Sequence, residues 1–234
     1  MKLSAYYLKR PAVEAGPATI AGFERLYRQY VDPATGPRTG AEIPYDLDAP
    51  KWQFLCYLCD HKNVLMHGSA MRDITEFEPR QSNDIEEFGN RKAVYAASDG
   101  LWPMYFGIVD RTKVHGLVNA CFRTITQDGI KSEPYYYFSI DRHALPLNPW
   151  REGMIYILPG DTFESQTLED SGEFKIESSQ WASLVGVTPL AKLAVAPEDF
   201  PFLKDVYGHD PEELFKKATA NPKGFPWRDE PSSN

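Results

Sequence analysis

The order of hydrophobic patterns along the chain is the feature that most limits its possible folds. Apolar residues recur at helical spacing over 18–31 and 50–61, near the start of the sequence. Short strand-like runs separated by Gly, Pro, Asp and Asn then fill the stretch from 114 to 195. Strands and helices therefore do not alternate as a doubly wound parallel sheet requires. We expect an α+β protein with N-terminal helices, mainly antiparallel strands and a C-terminal helix over 211–220.

The candidate strands are short, and one long polar segment separates the first from the second. We predict strands at 63–69, 93–98, 114–124, 134–140, 153–158, 161–166, 173–178, 180–185 and 190–195, and a helix at 99–110. The segment from 70 to 91 has no periodic pattern. Roughly 20 residues without regular structure are uncommon inside a compact domain, and such loops are often lids or binding loops.

Composition and charge exclude several classes of partner. The 33 Asp and Glu residues outnumber the 25 Lys and Arg, which gives a net charge of −8. A chain this acidic lacks the field that attracts polyanions, so we predict no nucleic-acid partner. No apolar run approaches the roughly 20 residues of a membrane span, and the N-terminus lacks the apolar stretch of a signal peptide. We therefore expect no membrane partner and a cytoplasmic location.

The sequence contains three cysteines, two of which form a CxxC pair. An odd, small number of cysteines fits a reducing compartment rather than a disulfide framework. Cys56 and Cys59, followed by His61, suggest a metal or redox site. However, Trp52, Leu55 and both cysteines recur at helical spacing, and no second pair completes four ligands. We predict buried core cysteines and no metal site.

Among the histidines, His67 stands apart because it closes an apolar strand and is followed by Gly68 and Ser69. The other four lie in polar contexts and are predicted at the surface; they are His61, His115, His143 and His209. The alternative for His67 is a structural hydrogen bond to a neighbouring strand. The sequence contains no GxSxG elbow and neither of the common glycine-rich phosphate loops.

A strand ending in His67-Gly68-Ser69, a long polar loop and a strand bearing Tyr95 together resemble the ADP-ribosyltransferase-like superfamily. Members of that superfamily open an NAD site with a His-Gly-Thr/Ser strand, continue to a tyrosine strand and supply a glutamate from a third strand. The resemblance covers residues 62 to about 195 and implies a split, mainly antiparallel β-sheet. It divides the chain into a helical extension (1–61), the superfamily-like domain (62–196), and a C-terminal helix with its tail (197–234).

The resemblance also implies roles for individual residues around an NAD molecule. His67 would hydrogen-bond the adenosine ribose, the backbone of Gly68, next to Ser69, would bind the nicotinamide amide, and Tyr95 would stack on the pyridinium. Arg80 and Arg91 flank the polar loop and could meet the pyrophosphate. The alternatives are a core position for Tyr95 and surface ion pairs for the arginines.

The third strand departs from the superfamily pattern. Gln180 aligns with the catalytic glutamate, and a glutamine cannot supply a carboxylate charge. Glu177, three residues earlier, would face the opposite side of a regular strand unless a bulge re-aims it. These two residues are the candidate catalytic positions.

The function expected from this pattern is binding of a small nucleotide, NAD or another ADP-ribosyl ligand. ADP-ribosyl transfer and NAD hydrolysis both remain open as activities. One alternative is a catalytically inactive binding or interaction module with the same fold, and another is an unrelated antiparallel barrel. The sequence does not identify a protein partner.

Overall fold

We analysed a computed structural model that describes residues 5–13, 15–37, 40–82, 87–166, 168–170 and 172–228. Its helices are α1 (Pro17–Leu26), α2 (Lys51–His61), α3 (Trp102–Ile108) and α4 (Pro211–Ala220). A π-helical turn over Tyr27–Val31 continues α1, and short 3-10 segments occur at Arg142–Leu147, Pro197–Asp199 and Leu203–Asp205. Proline occupies one of the first two positions of α1, α3 and α4, where its missing N–H costs no hydrogen bond.

The strands are mostly short, and several contain only two residues. They are β1 (Leu8–Lys9), β2 (Ala41–Glu42), β3 (Val64–Ser69), β4 (Arg80–Gln81), β5 (Lys92–Ala97), β6 (Leu117–Thr126), β7 (Tyr135–Asp141), β8 (Gly153–Pro159), β9 (Glu164–Ser165), β10 (Glu169–Asp170), β11 (Phe174–Ser178), β12 (Gln180–Ser183), β13 (Ala191–Val195) and β14 (Tyr207–His209).

These strands form two sheets. Sheet A has the order β1-β7-β6-β11-β10, with β14 also paired to β7. Sheet B has the order β2-β13-β8-β3-β5-β12-β9, with β4 also paired to β5. Within the described residues, only the β2–β13 and β7–β14 pairings are parallel. The expectation of an α+β protein with mainly antiparallel sheets is confirmed.

The chain passes directly from one sheet to the other at Ser179. This residue separates β11 of sheet A from β12 of sheet B. Its backbone N–H donates to the carbonyl of Cys121 at 3.0 Å, and its carbonyl accepts from the N–H of Ser98 at 3.0 Å. Ser179 therefore connects the two sheets through hydrogen bonds on both sides.

The main core contains residues from α1, α2, α3 and both sheets. Apolar side chains of α1, α2 and α3 pack there with side chains from both sheets, including Phe23, Phe54, Met66, Met104, Tyr105, Phe138 and Ile155. A second, smaller cluster covers the other face of sheet B; it contains Leu65, Phe77, Val94, Ala96, Met154, Tyr156, Leu158, Phe163 and Val187. We call the face of sheet B toward the main core its inner face and the face toward the second cluster its outer face.

The cysteines occupy the positions expected of core residues. Cys56 on α2 is fully buried, Cys59 is half-buried, and Cys121 on β6 is buried. Burial raises the pKa of all three thiols, which keeps them protonated and weakly nucleophilic. Among the described residues, no helix is both long and apolar enough to cross a membrane.

Candidate functional site

Sheet B places the three predicted site strands next to one another. β5, which carries Tyr95, lies between β3 and β12. Met66 of β3 pairs with Ala97 of β5, and Ala97 pairs with Gln180 of β12. The His-Gly-Ser strand, the tyrosine strand and the glutamine strand are therefore consecutive in the sheet.

Strand alternation decides which of these side chains share a face. Val94 and Ala96 belong to the outer cluster, so Tyr95 between them points to the inner face. Gln180 pairs with Ala97 and lies on the same face as Tyr95. His67 instead contacts Phe77 of the outer cluster, with ring centroids 4.6 Å apart. The structure thus brings Tyr95 and Gln180 to one face and directs His67 to the other.

β3 and β5 diverge immediately beyond Met66. The two strands share only the Met66–Ala97 pair. At the start of β5 its partner is β4, where Arg80 lies opposite Ala93. The gap between the diverging strands is bridged by His67, whose Nδ1 lies 2.7 Å from the carbonyl oxygen of Tyr95. His67 therefore links the two strands beyond their last backbone pair, at a place that we call the β3–β5 split.

The hydrogen bond to Tyr95 fixes the proton arrangement of His67. Because a carbonyl oxygen only accepts, Nδ1 carries the proton. Burial lowers the pKa of His67, which favours the neutral ring. Nε2 is then a hydrogen-bond acceptor, and no described residue donates to it. His67 can accept a hydrogen bond from a ligand hydroxyl.

The segment after β3 is fastened over the outer face. The Tyr156 hydroxyl donates to the carbonyl of Met71 at 2.8 Å and accepts from the N–H of Ile74 at 3.0 Å. Phe77 and Val187 exchange two backbone hydrogen bonds of 2.8 and 2.9 Å. Residues 70–79 therefore cover one side of the His67 ring through Phe77.

Gly68 is required for close packing of α3 against β3. A Cβ atom at this position would lie 1.8 Å from the carbonyl oxygen of Pro103. Gly153 on β8 has the same role, since its Cβ would lie 2.1 Å from the carbonyl oxygen of Gly107. The hydroxyl of Ser69 accepts from the N–H of Met71 at 3.1 Å. Packing and turn formation thus account for the Gly-Ser part of the sequence pattern.

The Tyr95 hydroxyl fixes the turn that precedes β5. It donates to the carbonyl of Phe88 at 2.9 Å and accepts from the N–H of Arg91 at 2.8 Å. The Arg91 guanidinium lies 4.6 Å from the centre of the Phe88 ring and pairs with Glu164 at 2.5 Å. The ring of Tyr95 is half-buried.

The two candidate catalytic positions lie in different sheets. Glu177 is on β11 of sheet A and pairs with Lys131, whereas Gln180 is on β12 of sheet B. The carbonyl of Gln180 accepts from the N–H of Gln166 at 3.3 Å, and its side chain is half-buried. Glu177 and Gln180 do not belong to one strand, so the expectation that they face opposite sides of the same strand does not apply.

Arg80 is exposed on β4 and pairs through its backbone with Ala93. Paired residues share a face, so Arg80 lies on the same face as Tyr95. It forms no ion pair with any described residue. The acidic neighbours Asp84 and Glu86 fall outside the described residues.

One histidine prediction is wrong. His61, His115 and His143 are exposed as expected, but His209 is only 5% exposed. Its Nδ1 lies 2.7 Å from the Ser139 hydroxyl, and its Nε2 lies 3.4 Å from Asp141. The local sequence around His209 is polar, and its burial arises from the parallel pairing of β14 with β7, which a local pattern does not reveal.

The Ser139, His209 and Asp141 side chains do not form a nucleophilic site. Ser139 is 0% exposed, and its hydroxyl also contacts the carbonyl of Tyr207 at 3.0 Å. A nucleophile needs access to its substrate, which this buried hydroxyl lacks. Within the described part of the chain, no group of three or more His, Cys, Asp or Glu side chains is arranged to hold a metal ion.

The fold and the site define an α+β protein with two mainly antiparallel sheets and a histidine–tyrosine–glutamine arrangement around one strand split. No protein-family model, curated protein or solved structure matches this chain.

Proposed function

We propose that the protein binds NAD or another ADP-ribosyl ligand at the β3–β5 split of sheet B. The observation that carries this proposal is the consecutive order of β3, β5 and β12 in one sheet. In the ADP-ribosyltransferase-like superfamily, which this chain resembles, the His-Gly-Ser strand, the tyrosine strand and the third strand form one NAD site. Neighbouring positions in the sheet make that possible.

The chemistry of the split supports a ligand that carries hydroxyl groups. The acceptor Nε2 of His67 fits a ribose hydroxyl, because the hydrogen bond from Nδ1 already fixes the ring. The aromatic face of Tyr95 fits a planar ring, and the Gln180 amide can both donate and accept hydrogen bonds. A ligand that meets His67 and Tyr95 must span the split, since the two side chains point to opposite faces.

The residues present support binding without cleavage of the nicotinamide–ribose bond. Cleavage develops positive charge at the anomeric carbon, which a nearby carboxylate stabilises. Gln180 is neutral, and Glu177 lies in the other sheet, where it pairs with Lys131. We therefore favour an inactive ADP-ribosyl-binding module over a transferase or NAD hydrolase.

The binding test compares NAD and ADP-ribose by thermal unfolding and by tryptophan fluorescence. We expect both ligands at millimolar concentration to raise the melting temperature. His67→Ala should weaken binding about tenfold, since it removes a hydrogen bond and the packing of the ring. His143→Gln, which changes an exposed histidine, is the matched control and should bind like the wild type. Absence of stabilisation by either ligand would overturn the proposal.

The activity test follows nicotinamide release. We expect none from the wild-type protein, and Gln180→Glu should introduce slow release if residue 180 lies near the anomeric carbon. Release by the wild-type protein would instead identify an enzyme and contradict the inactive assignment.

A further inference from the structure

A cleft lies on sheet A, away from the β3–β5 split. It has a volume of about 100 Å³ and lies between β7, β14, α4 and the last described residues. Its charged lining residues are Arg142, Asp210, Glu213, Lys217 and Arg228. Three cations and two carboxylates thus line one concave site, which leaves an excess of one positive charge in a chain whose net charge is −8.

The arginine at the end of the described chain is held in place by aromatic side chains. The Arg228 guanidinium lies 3.6 Å from the centre of the Tyr207 ring and 4.2 Å from that of Tyr6. It also contacts the hydroxyl of Tyr137, which is only 3% exposed. Stacking leaves the in-plane N–H groups that do not contact Tyr137 available for an anion.

Among the described residues, the charge of Asp210 interacts with that of Arg142, but no carboxylate lies within ion-pair distance of either arginine. Neither Arg142 nor Arg228 forms an ion pair with any described residue. Asp210 lines the same cleft, but its Oδ1 accepts the N–H groups of Glu212 and Glu213 at 3.0 and 3.1 Å and so caps α4. Arg142 makes one long hydrogen bond, of 3.4 Å, to the carbonyl of Gly208.

The floor of the cleft adds no further charge. His209 lines the cleft, but its ring nitrogens face Ser139 and Asp141. Burial lowers the pKa of His209, so the ring is neutral near pH 7. The positive character of the cleft therefore comes from its rim.

We propose that this cleft binds a phosphate group, held chiefly by Arg142 and Arg228. Arginines that approach from different elements suit an anion with several oxygens, because each can contact a different pair of oxygens. The small volume limits the group to one phosphate, either free or at the end of a larger ligand. This site uses sheet A and does not depend on the nucleotide site proposed on sheet B.

The experiment measures binding of inorganic phosphate by calorimetry and by thermal unfolding, with ionic strength held constant by potassium chloride. We expect phosphate, and not the matched chloride, to raise the melting temperature. R142Q and R228Q should each weaken phosphate binding about tenfold, as expected for loss of a charged hydrogen bond. Arg25, which pairs with Asp46 at 2.5 Å on α1, supplies the control variant R25Q, and its phosphate affinity should not change.

The two arginine variants protect the test against a folding artefact. R228Q removes the stacking on Tyr6 and Tyr207 and so changes packing, whereas R142Q changes an exposed side chain. Equal phosphate affinity in wild type and R142Q would overturn the proposal.

Acetate should stabilise the protein less than phosphate, and equal stabilisation would reject a phosphate site in favour of a carboxylate site. His67→Ala should leave phosphate binding intact, which separates this proposal from the nucleotide proposal.

Discussion

At the scale of the residue, His209 shows how a polar side chain can be buried without a catalytic role. Its ring lies between the Ser139 hydroxyl and Asp141, and Asp210 and Arg142 also act on it electrostatically. Burial lowers its pKa, while Asp141 opposes that shift. The folded protein therefore binds a proton at His209 less readily than the unfolded chain does.

This difference predicts a pH dependence of stability. The pKa of a histidine in the unfolded chain is about 6.5, so the unfolded state takes up the proton first as the pH falls. The contribution of His209 to the free energy of unfolding should decrease below that pH and become constant below the folded pKa. Denaturant unfolding of wild type and His209→Gln from pH 8 to pH 5 measures it, and the stability difference between the two proteins should shrink toward pH 5. A difference that grows toward pH 5 would mean that the pairing with Asp141 outweighs burial. His143→Gln serves as the exposed control.

At the scale of the element, α3 is positioned by a buried cap and by glycines beneath it. Asp99 is 2% exposed, and its Oδ1 accepts the N–H groups of Leu101 and Trp102 at 2.9 and 2.7 Å. Its other oxygen accepts from the Tyr136 hydroxyl at 2.7 Å. Gly68 then allows α3 to lie directly on β3. One carboxylate thus connects the end of β5, the start of α3 and sheet A.

A comparison of two helix caps tests this arrangement. Asp99→Ala should lower the free energy of unfolding by about 3 kcal/mol, because it removes the cap and leaves the buried Tyr136 hydroxyl without its partner. Asp210→Ala removes the half-buried cap of α4 and should cost only about 1 kcal/mol. Urea unfolding measures both. Equal costs would show that the buried connection to Tyr136 contributes nothing.

The elements that the sequence predicts best are those long enough to show a helical or strand-like repeat of apolar residues. The helix at 211–220 has the predicted bounds, and the helix expected at 18–31 corresponds to α1 and its π-helical continuation. The helix expected at 99–110 is shorter, since Asp99 caps it from outside and α3 begins at Trp102. The strand expected at 161–166 is reduced to Glu164–Ser165. Two-residue strands such as β1 and β2 contain no period and depend on distant partners.

The candidate site was predictable only in part, because it also depends on pairing between residues that are distant in the sequence. The order of His67, Tyr95 and Gln180 along the chain suggests neighbouring strands, and these strands are neighbours. The sequence could not indicate that His67 and Tyr95 point to opposite faces, because that depends on which residues of β3 and β5 pair. The transfer of the chain between sheets at Ser179 is likewise a property of long-range pairing and not of local pattern.

At the scale of the whole molecule, one apolar cluster joins the N-terminal helices to both sheets. Phe54 of α2 is fully buried in it, with ring centroids 5.5 Å from Phe23 and 5.9 Å from Tyr45. Because sheet residues such as Phe138 and Ile155 belong to the same cluster, loss of packing at α2 should affect the entire core. The helices and sheets should therefore unfold together.

The last prediction uses a matched pair of phenylalanines to test this cooperativity. Phe54→Ala should lower the free energy of unfolding by about 3–5 kcal/mol, with far-UV circular dichroism and tryptophan fluorescence shifting by the same amount. Phe215→Ala changes a side chain of α4 that is 73% exposed and should cost less than about 0.5 kcal/mol. A chain of 234 residues is long enough that the helices and the sheets can in principle unfold in separate transitions instead of one. If the two probes separate in Phe54→Ala, the helices unfold independently of the sheets, and the shared cluster does not make the molecule a single cooperative unit.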